Sequence, residues 1–215
     1  MLQIAVIGAL LVIVPQTLAT VHLPGRCPNY IALPNFNNTE FLGEWYEIQR
    51  LAVQDEPGHA DCVVANYSVN MDGSTLDVIN RMLVLENPPR RVEQRGYARY
   101  LDTTGRLVMI YNETDPSANI FDYYITNTDY TQYMIATSCE NLNNTHYAES
   151  AWIFSRSRIL SASASTAVNQ IIQSWASFSH FRRTNQDQLL CSSSEQLALG
   201  TITLLMVLLT SHFLR

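Results

Sequence analysis

The chain has 215 residues, 47% of them hydrophobic, and a formal net charge of −6 at neutral pH. That acidic balance argues against nucleic acid as a partner, because a phosphate backbone is held by a cationic surface. Charged residues make up only 15% of the chain, a small share for a secreted surface, and attached glycans would make up the difference.

Residues 2–19 form an uncharged apolar run that ends in small residues, with Thr17 and Ala19 at the minus-three and minus-one positions of a cleavage site. The run reads as a signal peptide cut after Ala19 to leave Thr20 as the mature start, although only the terminal amine supplies a basic n-region. Residues 35–50 come next, and the rest of the chain is organised around them. A polar stretch gives way to Trp-Tyr-Glu-Ile, which reads as a loop or short 3₁₀ turn entering a first strand. Gly43 lets the backbone turn tightly before Trp45, so that the ring folds under a structure completed by later strands.

Short β-like runs then alternate with polar or glycine-bearing turns. They cover residues 45–53, 62–69, 75–84, 92–101, 107–111, 120–125, 130–137 and 147–155. The loop at 54–59 would sit at a barrel mouth, Asp72-Gly73 marks a turn, and Pro88-Pro89 keeps residues 86–91 out of a central strand. Leu76, Val78, Asn80 and Met82 share one face, as do Val92, Gln94, Gly96, Ala98 and Tyr100, and this mixed character suits a sheet whose inside is not fully dry. Eight such strands without intervening helices predict an antiparallel barrel or sandwich. Residues 164–179 differ: Val168, Ile171, Ile172 and Trp175 recur at helical spacing and predict an amphipathic helix against the outside of the sheet, with Phe178 and Phe181 continuing the contact.

The last segment pairs small residues at Ser192, Ser193 and Ser194 with an apolar tail that reaches the final residue. A helix needs about 20 apolar residues to cross a bilayer, so the tail is borderline for a span and fits a GPI-attachment signal better. A single C-terminal span and a buried helix are the alternatives. The chain thus divides into a leader at 1–19, one domain at 20–191 and a largely removed signal at 192–215. Cys27, Cys62, Cys139 and Cys191 form an even set without zinc or redox spacing, which implies two structural disulfides in any of three pairings. Four N-glycosylation tripeptides begin at Asn37, Asn66, Asn112 and Asn143. The five histidines are scattered and supply no triad or metal-ligand pattern, so neither catalysis, metal nor cofactor is expected.

Three elements in order carry a family resemblance. Gly43-Glu44-Trp45 resembles the glycine-x-tryptophan motif of the lipocalins, Thr128-Asp129-Tyr130 their second motif, and the run from Ala151 to Arg156 their third. The likeness extends over about residues 27–191 and is to the apolipoprotein D and insect Lazarillo-type group in particular. It implies an all-β, eight-stranded antiparallel up-and-down barrel, with one C-terminal helix packed outside and a cavity open at one end. It also implies that Arg156 lies across Trp45 at a covered base, with Arg158 as the alternative, and that the disulfides join Cys27 to Cys139 and Cys62 to Cys191.

The function implied by the resemblance is noncovalent capture of a small hydrophobic ligand: a fatty acid, retinoid, sterol or bilin. On strand parity Trp152 is the first candidate for the wall, with Phe154, Tyr67, Asn80, Tyr100, Phe121, Tyr123 and Tyr133 beside it. The enzymes of the family use a free barrel cysteine, and in the implied pairing all four cysteines are bonded. Redox chemistry at Met71, Met82, Met109 or Met134 is a further option, with core packing the commoner use. The second reading is a GPI-anchored protein of the outer leaflet that recognises another cell-surface protein, as in neural development, with the cavity secondary.

Overall fold

Polar and apolar residues alternate along these strands, which lets one sheet bury one face upon itself, and in the computed structural model it does so by closing. The structure describes residues 21–51, 60–71, 73–111 and 120–192. The signal-peptide and tail readings, Asn112, Ser193 and Ser194 therefore lie outside the described residues. Eight antiparallel strands form the wall: β2 (Gly43–Leu51), β3 (Ala60–Val69), β4 (Leu76–Val84), β5 (Arg90–Tyr100), β6 (Arg106–Tyr111), β7 (Ile120–Thr128), β8 (Tyr133–Asn141) and β9 (His146–Ser155). Each pairs with the next, and β9 returns to β2, so closure leaves no edge among these eight. Two short strands outside the expected set extend the sheet: β1 (Val21–Pro24) pairs with β9, and β10 (Phe181–Arg183) with β2.

The chain before β2 closes one end. The Leu33 N–H donates to the Ile125 carbonyl and the Gly105 N–H to the Leu33 carbonyl, each at 2.8 Å, and the Phe36 N–H reaches Thr103 at 3.1 Å. A single helical turn, α1 (Asn38–Phe41), follows, with the Asn37 side chain accepting from the Thr39 and Glu40 N–H groups as an N-cap. Phe36 and Phe41 seal the base beneath Trp45 and Tyr67.

Opposite ends of the chain meet at a seam between β2 and β3. These strands pair only over residues 43–46 and 64–67, and both carry irregularities above that point. The C-terminal segment fills the gap. The Thr184 N–H donates to Ile48, Asn185 exchanges bonds with Asp61 and Cys62, and the Gln186 amide donates to the Glu47 and Val63 carbonyls at 3.0 and 2.7 Å. The disulfide Cys62–Cys191 fastens this segment, and Cys27–Cys139 fastens the N-terminal one.

Helix α2 (Ala162–Ile172) is capped by Ser161, whose hydroxyl accepts from Ala164 N–H at 3.2 Å. Its buried Val168 and Ile172 meet Ile135 and Ile153 on the outer face of β8 and β9. It is shorter than the expected 164–179. Trp175 turns back to lie tilted against Tyr30 and Phe181, at 5.9 and 6.2 Å, and a 3₁₀ turn (Phe178–His180) leads into β10. Phe181 joins that contact, whereas Phe178 is largely exposed.

Candidate functional site

Pairing register decides which side chains look into the barrel. Cα partners share a face, so Trp45, Ala65 and Asn80 look inward together, as do Met109 with Phe121 and Ala136 with Trp152. The interior is layered. The lowest layer is dry: Trp45, Leu76, Ala98, Leu107, Ile125 and Met134 have at most 1% exposure. Asn80, Met82, Gln94, Phe121 and Trp152, farther along the same inner face, are only partly buried, so solvent reaches the interior from the end opposite α1.

The base is a cation lying on a ring. The Arg156 guanidinium carbon is 3.7 Å from the Trp45 ring centroid. Its N–H groups donate to the carbonyls of Tyr130 (3.0 Å), Glu44 (3.0 Å) and Glu40 (2.6 Å). Trp45 Nε1 donates to the Phe41 carbonyl at 2.9 Å. Gly43 has φ +97°, and a Cβ there would sit 3.4 Å from Arg156 Nη1. The Thr128-Asp129-Tyr130 turn braces the arginine: Asp129 Oδ1 accepts the N–H groups of Thr131, Gln132 and Tyr133, Thr128 Oγ1 accepts that of Tyr130, and the Tyr130 hydroxyl accepts that of Asn37. Arg158 lies elsewhere, 5.0 Å over the Tyr46 ring on the outer wall.

Above the base the lining is amphipathic. The Tyr67 and Tyr123 hydroxyls are 3.4 Å apart, and Asn80 Nδ2 donates to the Tyr111 hydroxyl at 3.0 Å. Tyr111 stacks on Phe121 at 6.1 Å, and Tyr123 lies 5.6 Å from Trp152. Burial pushes the Tyr67 and Tyr100 phenols up to about 12 and raises those of Tyr111 and Tyr123 well above the ordinary value, so all four stay neutral hydrogen-bonding groups. The Tyr100 hydroxyl is buried and makes no hydrogen bond among the described residues.

Charge also enters the interior. Glu47 pairs in register with inward Phe154 and accepts from the Thr184 hydroxyl through the β2–β3 seam. Arg50 pairs with Trp152, and its Nε is 3.7 Å from Glu47 Oε1. The register shift between Glu47 and Gln49 brings both to one face.

Seven of the eight wall candidates, Trp152, Phe154, Tyr67, Asn80, Tyr100, Phe121 and Tyr123, are brought to this interior. Tyr133 is corrected: it pairs with outward Ser155, packs in the α2 cluster and donates to Asn127 at 2.7 Å. The expected strand at 130–137 began too early, because Asp129 holds residues 131–133 in a turn. Tyr111 and Met109 were missed although they share the parity of Leu107; Glu47 was missed although it follows Trp45 by two. Arg50, Thr184 and Gln186 carry no such signal. Among the described residues no group of three His, Cys, Asp or Glu side chains is placed to hold a metal ion, and no cysteine is free. Met109 and Met134 are buried in the interior, Met82 is partly buried on the same face, and Met71 is fully exposed in a turn. Of the glycosylation candidates, Asn37 and Asn143 are exposed and Asn66 is half-buried on the outer face of β3.

The closed barrel, covered base and outer helix define a calyx. The lipocalin-like domain family matches residues 36–186, and the chain belongs to the lipocalins. It is 30% identical to apolipoprotein D of Cavia porcellus over 150 residues, 70% of this chain and 76% of that one. It is 27% identical to insecticyanin-A of Manduca sexta over 164 residues, 74% and 82% of the two chains. Among solved structures, insecticyanin of Manduca sexta superposes with a TM-score of 0.66 at 21% identity, over 80% of this chain and 92% of that one. Apocrustacyanin C1 superposes with a TM-score of 0.62 at 18% identity, over 78% and 92%.

Proposed function

We propose that this lipocalin binds a small hydrophobic molecule bearing an uncharged hydrogen-bonding group, held noncovalently in the barrel. The observation that carries the reading is the inner wall itself: apolar side chains around neutral phenols, sealed at one end by Trp45 and Arg156 and reached by solvent at the other. Burying apolar ligand surface contributes about 25 cal/mol per Å². The Tyr100 hydroxyl, without a hydrogen bond among the described residues, supplies with Tyr67, Tyr111, Tyr123 and Asn80 the few polar contacts that orient such a ligand. Candidate ligands are fatty acids, retinoids, sterols and bilins, of which a sterol or retinol hydroxyl matches neutral phenols best. No catalytic step is part of the reading.

Native mass spectrometry of the natural-source protein after deglycosylation, with extraction of any bound molecule, tests it directly. A stoichiometric apolar ligand, displaced on titration with quenching of Trp152 fluorescence, is the expected result. An empty protein that takes up none of the four ligand classes overturns it.

The sequence at 192–215 supports a second element of the reading: secretion followed by GPI attachment at Ser192, Ser193 or Ser194, on the outer face of the plasma membrane. Release from cells by a phosphatidylinositol-specific phospholipase is expected, and retention under conditions where a control anchor is cut overturns it. An anchored protein with an empty calyx would make recognition of another cell-surface protein the principal role.

A further inference from the structure

The place where the chain leaves the barrel bears on how an anchored molecule would stand. Cys191 is buried against Cys62 and Leu83, on the outer wall at the open end of β3 and β4. Its carbonyl accepts from the Arg91 guanidinium, and its N–H donates to the Asp187 carbonyl at 2.9 Å. The exit is thus held by a disulfide and two hydrogen bonds, and Ser192 is the next residue. With attachment at 192–194 the tether is at most three residues, about 10 Å of extended chain.

Two surfaces lie within reach of so short a tether. Farther down the wall, the outer faces of β4 and β5 carry Asp77, Arg81, Glu93, Arg95 and Arg99, all exposed. Laying that wall on lipid would strip water from five charges, of which Arg81 and Arg95 are both paired with Glu93, while Asp77 and Arg99 stand nearer the closed end. Among the described residues, the exposed apolar side chains around the exit are Leu189 (79%) and, in the β4–β5 connection at the mouth, Leu85 (41%), Pro88 and Pro89, with the charged Arg90, Arg91 and Asp187 exposed beside them. The acidic group of that connection, Glu86, is paired with Arg90 at 2.9 Å. The exposed glycosylation candidate Asn143 stands in the β8–β9 connection, across the mouth from β3 and β4.

We propose that the β3–β5 side of the barrel mouth, presenting Leu85, Pro88, Pro89 and Leu189, is a docking surface for the outer leaflet of a lipid bilayer. The opening of the calyx then borders the bilayer, and an apolar ligand passes between lipid and barrel with little exposure to water. This rests on the proposed GPI anchor, and the test keeps the two apart.

The full GPI-bearing protein, purified from cells, is reconstituted into phosphatidylcholine vesicles containing a lipid spin-labelled near the headgroup. A fluorophore is placed in turn at Leu85→Cys, at Leu101→Cys on the closed end, and at Arg81→Cys on the charged wall. All three sites are exposed, and circular dichroism checks that each variant folds. The expected result is quenching several-fold stronger at position 85 than at either other site. Equal quenching at 81 and 85 means that the barrel lies on its side, and equal quenching at 101, or none at any site in vesicle-bound protein, means that the mouth stands away from lipid; each overturns the docking surface while leaving the anchor intact. Protein that neither floats with vesicles nor is released from cells by the phospholipase overturns both.

Discussion

Arg156 and Trp45 are 111 positions apart in sequence yet stand 3.7 Å from each other, cation on ring, at the closed end of the barrel. The arginine also gathers carbonyls from the turn before β2, from β2 itself and from the turn before β8, so one side chain ties three separate stretches of backbone.

Removing either partner opens the base. Trp45→Ala is expected to destabilise by about 3–5 kcal/mol through the cavity it leaves. Arg156→Met keeps much of the apolar stem but strands those carbonyls, with an expected cost of about 1–3 kcal/mol. Urea unfolding measures both, and an unchanged midpoint for Trp45→Ala would contradict this placement.

Gly96 makes room for the phenol that Asn80 holds. A Cβ at that position would lie 2.5 Å from both the Ile110 carbonyl oxygen and Tyr111 Cδ1. Gly96→Ala is therefore expected to push the Tyr111 ring from its place, at a cost of about 1–3 kcal/mol. Ligand affinity should fall with it, while Gly73→Ala, in a turn with open space around it but φ +74°, should reduce stability without touching affinity.

High pH should find the interior phenols last. In the unfolded chain they ionise near 10.0, whereas in the fold Tyr67 and Tyr100 wait until about 12 and burial raises Tyr111 and Tyr123 well above the ordinary value too. The stability they confer is fully present below pH 10 and is lost as pH climbs toward and past 12, because the unfolded state gives up its protons first. Phenolate absorbance followed by stopped-flow should show an early class of tyrosines and a late class that ionises only as the protein unfolds.

Glu149 should show the same sign at lower pH. It is buried on the outer side of β9, in register with Cys139, and burial raises its pKa above 4.5, with Ser177 offsetting part of the effect. Its contribution is greatest below pH 4.5 and falls as pH rises through the folded value. Glu149→Gln should therefore be more stable than the parent at pH 7, with the gap narrowing as thermal unfolding is repeated toward pH 4.

Strand identity and parity were legible wherever alternation ran unbroken. The inward sets on β4 and β5 follow directly from the spacing of Leu76 to Met82 and of Val92 to Tyr100, and the same parity leads to Phe121, Tyr123 and Trp152. The reading failed where a turn or irregularity consumed a residue. Asp129 holds the N–H groups of three successive residues and delays β8, which turns Tyr133 outward; the shift at Ile48 turns Arg50 inward. One residue of slippage exchanges the faces of a strand, and nothing in local composition announces it.

By itself the sequence determined the β-rich class, the eight strands of the barrel wall, the three motifs, the cysteine inventory and the outer helix, because each is written in local spacing or residue type. Only the tertiary structure decided that Thr184 and Gln186 complete the wall at the β2–β3 seam, that Glu47 and Arg50 share its inner face, and that Cys191 is fastened beside the mouth. Those relations join residues more than a hundred positions apart, or turn on a single shifted register, and they exist only once the barrel has closed.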